Sequence, residues 1–287
     1  MRNNFNKFTL GTVQFGKPYG PKNLQTKKID EIVDIFNFFY TFGGRHIDCA
    51  RNYGNAEKLV GNIHENRFNL STKVDYSGEI DDLYFSIEDS FENLKISKLD
   101  KLFFHNNNIL NQYKNIPELC YLIKSKFPIN KIGFSIYDTN DLAPEIFSFK
   151  DLEGFVDIIQ CPANVYDMRF IDLQNKFDSL DIIFEFRSIF LQGNLLDEAQ
   201  SKLNTFSSYY EEWFNFCKKN KCSPLSLAMN TIFHKVMHAK SLITFGCRSL
   251  EEIKQIEVSI GEDVIEYPYT KNVPPELIDP RTWPIIQ

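Results

Sequence analysis

Short apolar runs of strand character alternate with longer amphipathic runs along the chain. The strand-like runs are KFTLGTVQF (7–15), RHIDCA (45–50), RFNLSTKV (67–74), LDKLFFH (99–105), NKIGFSIY (130–137), VDIIQCPA (156–163), DIIFEFRSIF (181–190) and KSLITFGC (240–247). Between them, apolar positions recurring every three to four residues predict helices over 26–42, 83–94, 207–220, 223–237 and 249–260. In the last of these, Ser249 can cap the helix and Glu252 stands three residues on, the spacing of a capping box. Strands that alternate with helices pair in parallel, and eight such repeats at this length predict a (β/α)8 TIM barrel. An open doubly wound sheet is the alternative. It would carry a GxGxxG turn after its first strand, and GTVQFGKPYG is not that fingerprint. No linker divides the chain. A single barrel domain over 1–287 is expected, with the Pro-rich, aromatic segment 262–287 as a tail packing on the barrel.

Composition narrows the partners. The 287 residues are 43% hydrophobic and 24% charged, enough for a sizeable core. A net charge of -6 argues against nucleic acid or an anionic membrane. No apolar run approaches the roughly 20 residues of a membrane span, and RNNFNKFTL lacks the apolar centre of a signal peptide. The 6 cysteines form no CxxC, so reduced thiols in a cytoplasmic protein are expected, not disulfides or zinc. His234 and His238 could share a helix face, but no carboxylate or thiol joins them, and no metal is expected. Monomer and small homo-oligomer both stay open.

In a (β/α)8 barrel the chemistry sits where strands end and loops begin. The second strand delivers Asp48, with Tyr53 in the loop beyond. The third delivers Lys73 and the fourth His105. Taken singly, each has an ordinary structural reading: a turn aspartate, a packed tyrosine, a surface lysine, a strand-end histidine. Converging from adjacent strand ends, they form a set that tunes itself. Asp48 would pair with Lys73, Lys73 would lower the pKa of the Tyr53 phenol, and Tyr53 could then protonate a carbonyl oxygen. A neutral His105 could orient that carbonyl and stabilise charge growing on its oxygen.

The segments DCARNYGNAE (48–57), STKV (71–74) and LFFHN (102–106) resemble the aldo-keto reductase pattern, D-T-A-x-x-Y-G-x-[SA]-E followed by strands ending in Lys and in His. The resemblance runs from LGTVQFG near residue 10 to FGCRSLEEI near residue 253. It implies a catalytic tetrad of Asp48, Tyr53, Lys73 and His105, with Tyr53 as proton donor, and a bound NADP(H). The implied nicotinamide contacts are Ser135 and Gln160, while Ile136 stands where the family has Asn. Arg187 stands where the family stacks an aromatic ring on the nicotinamide, beside Ser188. It could weaken cofactor binding or hold an acidic group of the substrate. Gly11, Thr12 and Gly246 are implied cofactor neighbours. Arg248 would meet the 2′-phosphate, through its fork and the adjacent helix N-terminus. Glu252 would contact adenine, with Ile256 where the family has Asn.

LGTVQFGKPYG and RSIFLQGNLL are similar to aldo-keto reductases of bacterial carbohydrate and surface-polysaccharide biosynthesis. That branch implies a carbonyl on a sugar or nucleotide-linked sugar, with Tyr19, Arg51, Asn106 and Asn164 as candidate substrate contacts. Arg169 reads as structural. Two alternatives stand beside the reductase. One is a redox-neutral sugar epimerase or isomerase using bound NADP, and the other a non-catalytic NADP-binding barrel.

Overall fold

A computed structural model describes residues 4–20, 25, 28–105, 115–138, 154–174, 181–268 and 273–283. Eight strands, β1 (Phe8–Gly11), β2 (His46–Asp48), β3 (Asn69–Val74), β4 (Leu99–Phe104), β5 (Ile129–Ser135), β6 (Ile158–Pro162), β7 (Ile183–Arg187) and β8 (Leu242–Gly246), form a closed barrel in chain order. All neighbours are parallel, and β8 returns to pair with β1 through Phe8 opposite Ile243 and Gly11 opposite Gly246. The expected (β/α)8 barrel is the fold found.

The larger helices around it are α1 (Ile29–Thr41), α2 (Ala56–Ile63), α3 (Ile80–Leu94), α4 (Ile116–Lys126), α5 (Arg169–Gln174), α6 (Ser207–Lys219), α7 (Pro224–Val236) and α8 (Leu250–Ser259). Five of these match helices predicted from the pattern. The pattern does not pick out α2, α4 and α5; α2 and α5 are short, while α4 buries Ile116, Leu119, Cys120 and Ile123 at helical spacing and was readable.

Alternation along the strands separates two environments. Leu10, Ile47, Leu70, Leu102, Phe104, Ile132, Phe134, Ile159, Phe184, Phe186, Ile243 and Phe245 are buried in the main hydrophobic core, between sheet and helices. The other parity turns into the barrel and is unusually polar: His46, Asp48, Ser71, Lys73, Lys101, Ser135, Gln160, Glu185 and Thr244. Phenylalanine supplies much of the outer layer. Phe5 closes one part of it, its ring stacked 5.6 Å from Phe245 and tilted against Phe39 on α1 at 5.0 Å.

The polar interior is held by a continuous network. Lys101 Nζ meets Glu185 Oε2 at 2.7 Å, with both side chains essentially inaccessible to solvent. Thr244 and Gln160 also donate to Glu185 Oε1, at 2.8 and 2.9 Å. The nitrogen of Gln160 reaches Asp48 Oδ1 at 3.2 Å, so Gln160 joins the Lys101–Glu185 pair to Asp48. Burial alone would raise the Glu185 carboxyl, but attraction and hydrogen bonds from Lys101, with those from Gln160 and Thr244, outweigh it and hold it at about 2. His46, in the same interior, is pushed down to about 4, first by burial and then by the charge of Lys101.

Every strand is shorter than its apolar run, the first and seventh by the most. The first ends at Gly11. Thr12 there donates its backbone N–H and its hydroxyl to the Asp48 carbonyl, and Val13–Gly16 coils into one helical turn. The seventh ends at Arg187, where Ser188 takes φ 62 and the chain enters a 3-10 turn, Leu191–Gly193. The backbone through Leu191 (φ 44), Gln192 (φ 53) and Gly193 (φ 91) stays left-handed, a conformation that costs energy for non-glycine residues.

Among the described residues, no helix is long and apolar enough to cross a membrane. No group of three His, Cys, Asp or Glu there could hold a metal, and all 6 cysteines are free thiols.

Candidate active site

Asp48, at the end of β2, and Lys73, on β3, form a buried ion pair at 2.5 Å. Lys73 also donates to the Cys49 carbonyl at 3.0 Å, and the Ser71 hydroxyl donates to Asp48 Oδ1 at 3.1 Å. Asp48 therefore accepts from Lys73, Ser71 and Gln160, which holds its carboxylate in one orientation. The ring of Tyr53 lies over this pair, its centroid 5.0 Å from Lys73 Nζ. His105 follows β4 and meets the same ring edge-on, with centroids 6.0 Å apart and planes 81° to each other. The four residues from three strand ends do converge.

Their tuning differs from expectation in one respect. The Tyr53 phenol is raised well above 10.0, by burial first and by the Asp48 carboxylate second, while Arg187 pulls the other way. Lys73 does not produce a phenolate, because Asp48 lies against its ammonium and itself opposes a second negative charge. Tyr53 stands as a protonated donor. His105 is pushed down to about 3 by burial and then by the charges of Lys73, Arg187 and Lys17, so its ring is neutral at ordinary pH.

The Tyr53 loop is fixed from behind by Gly16. A Cβ on Gly16 would sit 1.8 Å from the Tyr53 carbonyl oxygen and 2.6 Å from the Ala56 nitrogen, both backbone atoms that cannot swing aside. Gly16→Ala must displace the loop carrying Tyr53. Since misplacing a reacting group by ~1 Å can cost about 100-fold in rate, we expect kcat for a model aldehyde to fall at least about ten-fold. A lower melting temperature, read by calorimetry, should accompany it.

Asp48, Tyr53 and His105 line a cavity of about 590 Å³, within the usual range for a small-molecule site. Ser135, Tyr137, Arg187 and Ser188 line it too. So do Gly246, Arg248, Glu252, Gln255 and Ile256, at and around the start of α8. There Ser249 caps the helix by accepting from the Glu252 N–H at 3.1 Å. The Glu252 carboxylate reaches back to the Arg248 N–H at 2.7 Å and accepts the Arg248 guanidinium at 2.9 and 2.5 Å. Gly11 and Tyr19 also line the cavity. The Tyr19 hydroxyl is held protonated by burial and by the neighbouring Tyr137 and Tyr53, against smaller opposing effects of Arg187 and Gln192.

Other candidates lie elsewhere. Thr12 is buried against Asp48 and Cys49, outside the cavity wall. Gln160 is fully buried and engaged with Ser135, Asp48 and Glu185. Arg51 turns to α3, where it pairs with Asp89 and donates to the Ser86 carbonyl at 3.1 Å. Asn164 is buried in a local bridge with Asp167. Arg169 forks onto Asp167 and reaches Asp138, the structural part read for it. Asn106 lies outside the described residues. Sequence reasoning missed Tyr137, although it stands just two residues past Ser135 at the end of a predicted strand. It also missed Arg281. The Tyr137 ring centroid is 3.9 Å from the guanidinium of Arg187 and 3.9 Å from that of Arg281. Two guanidinium groups cannot share one face at that distance, so the ring lies between them.

The aldo/keto reductase family model matches residues 7–260. The chain belongs to the aldo/keto reductase family. Solved structures agree on the fold of this reductase. The glycerol dehydrogenase AKR11B4 from Gluconobacter oxydans has a TM-score of 0.67 at 17% identity, covering 90% of this chain and 88% of its own. An aldo/keto reductase from Klebsiella pneumoniae, solved with NADP and acetate, has a TM-score of 0.64 at 16% identity, covering 90% and 87%. Identities this low establish the fold alone. No curated protein matches the reductase in sequence.

Proposed function

We propose that this oxidoreductase is an NADPH-dependent reductase of an aldehyde or ketone on a sugar or nucleotide-linked sugar. The observation that carries the reading is the Tyr53 ring in the cavity, 5.0 Å from Lys73 Nζ of the Lys73–Asp48 pair and edge-on to His105; burial favours the protonated phenol and the neutral imidazole there. When bound, reduced nicotinamide supplies hydride to the carbonyl carbon. Tyr53 gives its proton to the carbonyl oxygen. The His105 ring, uncharged, can hydrogen-bond that oxygen and so orient the carbonyl. Lys73 stabilises the phenolate that Tyr53 becomes, and Asp48 keeps Lys73 in place.

The lining fits a dinucleotide phosphate. It takes in Asp48, Tyr53 and His105 and also the start of α8, a helix N-terminus where backbone N–H groups and Arg248 favour an anion. Ser135 and Ser188 would meet the nicotinamide end, with Gly11 and Gly246 also in the cavity wall. Arg248 would bind the 2′-phosphate by sharing its fork with Glu252. Gln160 would act through Ser135, whose hydroxyl donates to its side-chain oxygen at 3.2 Å. NADP in the Klebsiella neighbour is consistent with this choice. The sugar substrate rests on the likeness of LGTVQFGKPYG and RSIFLQGNLL to carbohydrate-biosynthesis reductases, with Tyr19 and Gln192 as polar contacts near Tyr53. We further propose one barrel domain with its tail folded over the site, working in the reducing cytoplasm, where buried free thiols persist.

Titration with NADPH and NADH, followed by cofactor fluorescence, tests the cofactor half. NADPH should bind more tightly. Arg248→Ala should weaken NADPH about ten-fold or more, as expected for loss of a charge-assisted fork, and leave NADH nearly unaffected. Failure of both nucleotides to bind at submillimolar concentration would remove the reductase reading.

A further inference from the structure

Two cations line the cavity, Arg187 and Arg248, and they differ in one respect. Arg248 is matched by Glu252. Arg187 is half-buried and forms no ion pair with a carboxylate among the described residues. Its guanidinium donates to the Ile136 carbonyl at 2.9 Å and to the Ser188 hydroxyl at 3.2 Å, and it lies flat on Tyr137. Those contacts hold the plane still but leave N–H groups for another acceptor.

The nearby carboxylates are committed elsewhere. Asp48 pairs with Lys73, Glu198 with Lys202 and Lys218, and Glu252 with Arg248. Asp197 caps the Glu198–Ser201 turn, and Asp279 forks with Arg281 behind Tyr137 and feels Arg187 only electrostatically, with no ion pair between them. A half-buried cation that shares one distant carboxylate with a second guanidinium is stabilised further by a ligand that brings its own negative charge. Arg187 acts electrostatically on both Tyr53 and His105, so that ligand is in reach of the reacting atoms.

We propose that Arg187 selects a substrate carrying an anionic oxygen group, a carboxylate or a phosphate, close to its carbonyl. The proposal rests on the reductase reading and narrows its substrate class. A fixed planar fork matches both groups, and Tyr137 with Arg281 behind it keeps the fork aligned.

The test compares matched pairs: 4-carboxybenzaldehyde against benzaldehyde, and glyceraldehyde 3-phosphate against glyceraldehyde. Wild type, Arg187→Gln and Arg187→Lys are assayed with each. NADPH affinity is measured by fluorescence, and benzoate and inorganic phosphate binding by calorimetry. Wild type should prefer the charged member of at least one pair, which identifies carboxylate or phosphate. Arg187→Gln should cut that preference about 10- to 100-fold through KM, the range of a charge-assisted hydrogen bond or fork. Arg187→Lys should keep part of it, and the NADPH Kd should not follow KM. No preference in wild type, an equal loss on both members, or an NADPH Kd rising in step with KM would each overturn the proposal while leaving the reductase intact. If no nucleotide binds and nothing turns over, the reductase reading falls, and anion binding alone decides. Benzoate or phosphate binding that disappears in Arg187→Gln upholds an anion site at Arg187, and its absence in wild type removes it.

Discussion

Tyr53→Phe should lower kcat for carbonyl reduction by about a hundred- to ten-thousand-fold, the usual contribution of a positioned general acid. The Phe ring keeps the edge-on contact with His105 and the packing over Lys73. Fold, melting temperature and NADPH affinity should therefore survive, and the loss should appear in kcat. The pH profile supplies a second readout. The Tyr53 phenol lies well above 10.0 and His105 near 3. In wild type neither group changes protonation between roughly pH 5 and 9, so kcat should be flat across that range. A steep fall between roughly pH 7 and 9 would mean that the phenol is tuned down and that Lys73, not Asp48, sets it. Full activity in Tyr53→Phe would remove Tyr53 from the chemistry.

The second large effect concerns stability. Lys101→Met strands the Glu185 carboxylate inside the barrel. Removing one partner of a buried pair costs about 3–5 kcal/mol, which for a chain of 287 residues lowers the melting temperature on the order of 10 °C. Adding Glu185→Gln to Lys101→Met should recover much of this, because the amide is neutral and can still bond to Gln160 and Thr244. The pH dependence has a definite sign. Glu185 is depressed from 4.5 to about 2, so its contribution is complete above about 4.5 and is lost as pH falls toward 2. The advantage of wild type over Lys101→Met should shrink across that window in denaturant titrations. His46 and His105 act over a higher one. Both are depressed from 6.5, to about 4 and about 3, so the unfolded chain takes up their protons first and wild type should begin to weaken below about pH 6.5. If Lys101→Met melted within a degree or two of wild type, the interior pair would carry no net stability.

Much of the architecture was legible in the chain because its signals are local. The apolar parity of each strand must face the helices, and eight such runs separated by helical stretches leave few topologies other than a closed parallel barrel. Asp48, Tyr53, Lys73 and His105 were readable because the barrel places strand ends at one face, so position along a strand translates directly into position in the site. Capping of α8 by Ser249 was readable from spacing alone.

What the tertiary structure decided concerns partners distant in sequence. Whether Gln160 faces the cavity or the interior depends on Glu185 and Asp48, contributed by other strands. Arg51 went to Asp89 because α3 lies beside its loop. The protonation of Tyr53 follows from burial and from the Asp48 charge, neither of which a motif records. Arg187 between its backbone anchors and Tyr137, with Arg281 arriving from near the chain end, depends on contacts across 51 residues and more. Local periodicity determined which elements form and in what order. Desolvation and long-range pairing, which act only once the barrel closes, determined which polar groups line the cavity and in what protonation state.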